Sequence, residues 1–455
     1  MQKMCCFSPE YDERSRNILE NALKELSAYK SWQAFDPGPR HHIDARYAAM
    51  PVLAKKEIRD HFPDGFVPPD RDIKQGLERG EIEFVKTSGT SDVSVTNIWN
   101  QEWWDESERL SWKLNSHAAR LAAGTHNEAI LANPINVGFV SNDADLVVGK
   151  RRLARFLYLN EKSDPALWTP AFMDRMTDEL GEFKPAVFEA NPSLLAKLCR
   201  HIVECGKPVF QPGLIVLTYE YPSVLHYRQI RRVFGSPIAS SYGTTETGYV
   251  FMQCEEGKFH QNSDSCRVDF QPLKPGHGGH GIGRILVTPF NNPWYRIIHF
   301  DVGDLVRLDE SGDCPCGRNS GIILSAIEGR MAAATLTLTG RLVTLRELDD
   351  VIGGLSGVEE YRLEQTGKES YDLLIVSRMN DRMNDKSALA GEASTLLRKL
   401  YGNGAKISVS YENAIPPEST GKYRLAKADF PIDVEDYLDK NCVSSETLTG
   451  RMKNG

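Results

Sequence analysis

What this chain is short of narrows its class before any motif is read. It has no run of roughly 18 consecutive apolar residues, the length a membrane-crossing helix needs. Its first residues, MQKMCCFSPEYDERSR, reach acidic side chains before any apolar stretch of the secretory-signal type, so a soluble cytoplasmic protein with no membrane partner is expected. Basic charge is not in excess. Lys and Arg number 54 against 62 Asp and Glu, a formal net charge of -8, the opposite of the basic footprint by which proteins hold nucleic acid. Nine cysteines in 455 residues are too sparse for a disulfide scaffold, which leaves free thiols and metal ligands. Cys5, Cys6 and Cys442 lie near the ends, and Cys199 and Cys205 fall in a segment of helical spacing; none of these five marks a site. Internal repeats are absent.

What is present is enough apolar material, 41% of residues, for two or three cored domains. Ile18, Leu19, Ala22, Leu23 and Leu26 recur at helical spacing and predict an amphipathic N-terminal helix. From Pro185 the order is strand (AVFEA), then Asn191 as a helix N-cap with Pro192 at the first helical position. Leu194, Leu195, Leu198 and Ile202 form that helix's apolar face, and Gly206 stops it. A buried strand LIVLT (214–218), a helix near 223–234 and a strand near 237–240 follow, an alternation that predicts an α/β sheet with ligands beyond its strand ends.

Past GRILVTPF (283–290) and the glycine-rich run before it, the character changes near Glu328-Gly-Arg330. VEEYRLEQ and YDLLIVSR predict strands, SALAGEASTLLRKLYG a helix and AKISVSYE another strand, a β-β-α-β unit of about a hundred residues. RMNDRMND (378–385) reads as a polar surface loop, and the residues after Asn441 as a disordered tail.

Four short segments carry chemistry. Thr87-Ser-Gly-Thr90 offers hydroxyls and unencumbered N–H groups to phosphate oxygens, though alone it is an ordinary polar turn. In the segment from Tyr242 to Glu246, the ring of Tyr242 can stack on a base and Gly243 allows close backbone approach. Thr244 and Thr245 present hydroxyls, and Glu246 supplies a hard oxygen for Mg²⁺. The alternative is a strand-to-loop turn with a solvated glutamate. Asp301-Val-Gly-Asp304 and Pro416 followed by Gly421-Lys422 complete the set; a loop aspartate and a surface lysine are their bland readings.

Together, and in this order, these segments resemble the AMP-forming adenylating superfamily of acyl-CoA synthetases, peptide-synthetase adenylation domains and luciferases. From roughly residue 81 to 427, VKTSGTSDVSVTNIWNQEWW, NPSLLAKL, SSYGTTETG, CPCGRNSGIILSAIEGR and ESTGKYR look most like its phenylacetate-CoA ligase branch. The resemblance implies an α/β fold: a large N-terminal domain with mixed sheets over residues 1–330, and a small mobile α+β domain over 331–440 that carries a catalytic lysine, Lys422. It implies ATP and Mg²⁺, with phosphate contacts from the 87–90 loop and ribose contacts from Asp304 supported by Arg330. Glu220 falls at the segment lining the adenine pocket, so Tyr219 and Tyr221 are expected near the base, with core packing as the alternative.

The same resemblance implies a small carboxylic acid, aromatic or otherwise bulky, as substrate. Segments 130–142 and 240–251 are expected to border it. The acceptor would be coenzyme A, with an amine or a carrier thiol left open, as is a homodimer; the alternative to an enzyme is a zinc-bearing nucleotide-binding scaffold that kept the fold and lost turnover. The chain departs from the pattern in three places: Asp92-Val-Ser-Val95 replaces Gly-x-Pro-Lys, His299 stands where an arginine is usual, and Met331-Ala-Ala-Ala334 replaces two acidic hinge residues.

Cys254 and His260, with Cys314-Pro-Cys316 farther on, form a donor set suited to a closed tetrahedral Zn²⁺ site, and similar cysteines occur in that branch. Cys266 is the rival ligand, and four ordinary reduced side chains are the alternative.

Overall fold

The computed structural model describes residues 7–86, 95–122, 125–135, 137, 145–278, 281–377, 383–418 and 422–440. Thr87, Ser88, Gly89, Thr90, Gly421, residues 92–94, most of 136–144 and the tail from 441 lie outside the described residues. The chain groups into two compact units. One holds residues 1–122, 241–327 and 438–455, the other 123–240 and 328–437.

In the first unit the N-terminal helix runs Pro9–Glu25 and buries Leu19, Ala22 and Leu23, as its spacing predicts. Ser8 caps it, its hydroxyl accepting from the Tyr11 N–H at 3.3 Å. The helix packs on an antiparallel sheet whose strand order is Cys266–Pro272, Ile282–Pro289, Phe300–Leu308, Ile323–Arg330, Phe259–Gln261, Gly248–Gln253. Leu19, Tyr29, Tyr47 and Phe66 share one core with Phe251, Phe270, Val287 and Phe300 from the sheet. The Tyr29 hydroxyl accepts from Ile298 N–H at 3.0 Å and the Tyr47 hydroxyl donates to the Ser15 carbonyl at 3.1 Å, so neither buried ring leaves its polar end unpaired.

In the second unit the strands Glu128–Leu131, Phe156–Tyr158, Val187–Ala190 and Leu214–Leu217 are parallel. Parallel neighbours need crossovers, and the helices Pro170–Phe183, Pro192–Cys205 and Val224–Arg231 supply them. The local signals hold: Asn191 Oδ1 accepts from Leu194 N–H at 3.2 Å, and Gly206 closes the helix at φ +64°. Strand Ile238–Thr244 spans the division, its first three residues pairing in parallel with Leu214–Leu217 and its last four pairing antiparallel with Gly248–Gln253.

The second unit also contains a smaller four-stranded sheet, ordered Lys406–Tyr411, Ser370–Ser377, Val358–Gln365, Ala426–Ala428. Two elements go beyond those the sequence predicts: the closing strand Ala426–Ala428 and the helix Leu345–Ile352, whose capping box of Thr344 and Glu347 is a legible start signal. The loop expected through 385 is instead helical from Met383, with Asp385 in a first turn where the helix dipole favours a carboxylate.

Residues 349–360 dock on the helix Val224–Arg231. Arg228 donates to the carbonyls of Gly353, Leu355 and Val358 at 3.1, 3.0 and 2.5 Å. Asp349 accepts from Val224 N–H at 2.7 Å and from the hydroxyls of Tyr361 and Tyr221 at 3.0 and 3.3 Å. Burial nonetheless lifts Asp349 to about 6, from an ordinary value of 3.8. A raised carboxyl favours folding fully below the unfolded value, and that contribution is lost as pH rises through about 6. Relative to the wild type, Asp349→Asn therefore gains stability between pH ~4 and ~6, by up to about 3 kcal/mol. Urea unfolding at pH 4.5 and 7 reads this; an equal gap at both would exclude Asp349 as the titrating group.

Candidate active site and metal centre

The run SSYGTTETG forms a hairpin in the first unit. The sequence alone ends its strand at residue 240, whereas the ladder continues to Thr244, opposite Gly248, with residues 245–247 as the turn. Two glycines are obligatory here. A Cβ at Gly243 would lie 2.4 Å from the Gly248 carbonyl oxygen, and Gly248 holds φ +70° against Ser107. A register shift between Tyr242 and Gly243 re-aims the strand where the motif begins. Thr244 Oγ1 and Thr247 Oγ1 bond across the turn at 2.9 Å. Glu246 is 5% exposed; nearby stands Tyr295, whose hydroxyl is buried with no partner among the described residues.

Asp304 belongs to strand Phe300–Leu308 and is 6% exposed. Its Oδ2 accepts from the Tyr242 hydroxyl at 2.8 Å, which joins two motifs 62 residues apart. Asp301 acts on the backbone instead. Its Oδ1 accepts from Gly303 N–H at 2.8 Å and its Oδ2 pairs with Arg284 at 3.1 Å, fixing the bend before Asp304. His299, where an arginine is usual, is buried with Nδ1 2.8 Å from the Pro51 carbonyl, and burial holds its imidazole below the ordinary value.

Tyr219, Glu220 and Tyr221 lie in the second unit. Tyr219 is held at φ +75°, a conformation that costs an aromatic residue about 1–3 kcal/mol. Its hydroxyl meets Glu189 while that of Tyr221 meets Asp349, so the two rings are tied to different carboxylates. Glu220 accepts from the Ser193 hydroxyl, from Ser193 N–H at 2.9 Å and, through its other oxygen, from Tyr423 N–H at 3.3 Å. Removal from water raises this carboxyl, against those donors. Glu220 thus grips the residue next to Lys422. On the other side, Glu418 N–H donates to the Lys422 carbonyl at 2.9 Å and Arg424 pairs with Glu418 at 3.0 Å, so the backbone on both sides of the Lys422 side chain is held. Arg330 ends strand Ile323–Arg330. Beyond it residues 331–333 form a single 3-10 turn, with Ala333 and Ala334 buried. Sequence reasoning does not single out Ser193 or Tyr423, although both lie in strings that carry the resemblance.

Cys254, His260, Cys314 and Cys316 converge in the first unit, their ligand atoms all within 4.8 Å of one another. Two matching turns deliver them. Cys254 to Gly257 and Cys314 to Gly317 are each closed by the glycine N–H donating to the cysteine carbonyl at 3.0 Å, with φ +81° and +80° at the glycines. Strand pairing of His260 with Ile323 brings the two turns side by side. Glu255 takes both oxygens to Arg318 at 3.1 Å, and Lys258 reaches Asp309 at 2.8 Å and the Asp313 carbonyl at 2.9 Å, bracing the cluster from both flanks.

The donor set fits a zinc ion. Zn–S bonds of about 2.3 Å at tetrahedral angles require sulfurs about 3.8 Å apart; Cys254 and Cys314 are 3.7 Å apart, and Cys316 lies 3.3 Å from His260 Nε2. Burial holds the His260 imidazole down at about 4, so its lone pair is available at neutral pH. Burial also pushes the Cys254 thiol up to about 12, a value that a coordinated cation would lower. Cys266, the rival, is fully buried in the apolar core and outside the cluster.

No family model and no curated protein matches the chain. Solved structures do. Over 94% of this chain and 91% of the other, it aligns with 2-hydroxyisobutyryl-CoA ligase in the postadenylation state in complex with R3-HIB-AMP, at a TM-score of 0.69 and 17% identity. The chain has the fold of the adenylating acyl-CoA ligases. A second structure of that ligase, with 2-HIB-AMP, gives 0.67 at 18% identity over 98% and 93% of the two chains. A third, with 2-HIB-AMP and CoA in the thioesterification state, gives 0.53 at 18% over 94% and 91%. The expected α/β architecture with a large mixed sheet and a smaller C-terminal sheet is met. Among the described residues no helix is long and apolar enough to cross a membrane.

Proposed function

We propose that this protein activates a carboxylic acid, aromatic or otherwise bulky, by attack of its carboxylate on the α-phosphorus of ATP, with pyrophosphate leaving. The acyl group of the adenylate then passes to coenzyme A. An amine or a carrier thiol is the alternative acceptor. The observation that carries the reading is the 2.8 Å hydrogen bond from Tyr242 to Asp304, two motif residues joined in a fold of this ligase type.

In this reading Asp304 accepts from the ribose hydroxyls and the Tyr242 ring faces the base. Thr87, Ser88, Gly89 and Thr90, with Thr244 and Thr245, contact phosphates, and Arg330 supports the ribose. Tyr219, Glu220 and Tyr221 form the segment beside the adenine. Glu246 is a hard carboxylate beside threonine hydroxyls, chemistry that suits Mg²⁺; when bound, that ion offsets phosphate charge. The boundary after Arg330 separates a large domain from a mobile one that carries Lys422, and the Cys254, His260, Cys314 and Cys316 cluster holds a structural zinc.

ATP–pyrophosphate exchange across a panel of aromatic, branched and aliphatic acids tests the reaction without requiring the acceptor. Exchange with none of them sinks the reading. With an active acid found, Glu246→Gln and Asp304→Asn should each cut exchange by roughly a hundredfold. Thermal stability should change little, because both substitutions keep an oxygen acceptor in place. Wild-type ATP dependence in both variants would displace the nucleotide from this site.

A further inference from the structure

The second unit holds another donor cluster, away from the residues assigned above. Asp174 lies on helix Pro170–Phe183, while His201 and Cys205 stand one turn apart near the end of helix Pro192–Cys205. Positions four apart share a helix face. His201 is 6% exposed, and its Nε2 lies 2.9 Å from Asp174 Oδ1. Cys205 Sγ lies 3.7 Å from both ring nitrogens. The three ligand atoms fall within 4.8 Å of one another.

Bonds to zinc of about 2.0–2.1 Å for nitrogen and oxygen and 2.3 Å for sulfur, at tetrahedral angles, place ligand atoms about 3.3 Å (N···O) and about 3.6 Å (N···S) apart. The measured 2.9 and 3.7 Å are close to these spacings, but Sγ is equally far from both ring nitrogens, so the Cys205 side chain has to turn toward Nε2 to share the ion with Asp174. A cation already sits on the carboxylate: Lys207 Nζ is 3.0 Å from the same Asp174 oxygen and 3.9 Å from Asp178. An incoming ion would displace that ammonium from Asp174 and leave it Asp178. The set of one thiolate, one imidazole and one carboxylate suits zinc and its neighbours and does not suit Mg²⁺ or Ca²⁺. Cys205 is exposed and Asp174 partly so, which gives an entry path and leaves a fourth position for water.

We propose that Asp174, His201 and Cys205 bind a divalent zinc-class ion, the Cys205 thiol releasing its proton to solvent as the sulfur–metal bond forms. The site clamps two crossover helices of the parallel sheet. It is independent of the adenylation reading and of the four-ligand cluster, which belongs to the other unit.

The test is site-resolved. Full-length protein is alkylated with iodoacetamide at a series of buffered free zinc concentrations, and the Cys205 peptide is quantified by mass spectrometry, with buried Cys199 as the internal control. Zinc should slow Cys205 alkylation at least roughly tenfold, and Asp174→Asn and His201→Gln should each weaken that protection by a similar factor or more. Lys207→Met, which removes the competing ammonium, should bring protection on at lower zinc. Asp174 is at the surface, so its variant carries the test if His201→Gln misfolds. Alkylation unchanged by zinc up to about 1 mM would overturn the proposal, since site-built zinc binding is far tighter. So would equal protection in Asp174→Asn and wild type.

Discussion

Replacing Lys422 with alanine should slow acyl-adenylate formation by roughly a hundredfold or more, while transfer from a supplied acyl-adenylate to the acceptor stays near its wild-type rate. The reason is electrostatic. In the proposed reaction negative charge builds on the α-phosphate and bridging oxygens as the carboxylate attacks and pyrophosphate leaves, and an ammonium there would stabilise that charge more than it stabilises bound ATP. In transfer the adenylate is already made and AMP departs, so the same group has less to do. Two anchors hold the residues that follow the lysine without its side chain, Glu220 on Tyr423 N–H and Glu418 on Arg424; the variant should therefore fold. Assaying both half-reactions on one mutant decides it. Equal loss in both would give the lysine a general structural role, and no loss in either would remove it from the chemistry.

The second large effect is metal loss. In a Cys205→Ser background, which leaves the four-ligand cluster to be counted alone, freshly desalted protein should contain one zinc per chain. Cys314→Ser in that background should contain far less. Closed sites of this kind contribute on the order of 10–16 kcal/mol of apparent binding free energy in small peptides, so the variant should lose thermal stability by many degrees. The cluster fastens residue 254 to residue 314 through two turns whose glycines close only in the left-handed region. Losing it unfastens the hairpin region rather than removing a reacting group, so activity per folded molecule should persist while the folded fraction falls. Unchanged zinc content in Cys314→Ser would falsify the site.

Local signals carry most of what the sequence shows. Asn191, Pro192 and Gly206 mark their helix unaided because capping is settled within a turn of chain. The two cysteine clusters point to each other by chemistry, although their meeting depends on strand pairing between His260 and Ile323. The hairpin is illegible beyond residue 240 because Ser, Thr and Gly read as loop, and the ladder to Gly248–Gln253 overrides that preference. Least legible are the partners of Glu220: Ser193 lies 27 residues away and Tyr423 203, and no spacing rule reaches so far. Cys205 looks inert in the sequence for the same reason, since Asp174 comes from another helix.

The grip of Arg228 bears on time rather than on geometry. Its guanidinium holds the carbonyls of Gly353, Leu355 and Val358 at once. A planar fork loses little freedom in making each of these bonds, because its donors are already fixed relative to one another. Freeing residues 353–358 from that helix therefore costs three charge-assisted hydrogen bonds. Any movement of the segment should be slow, and Arg228→Lys, which cannot span the three carbonyls, should make it faster.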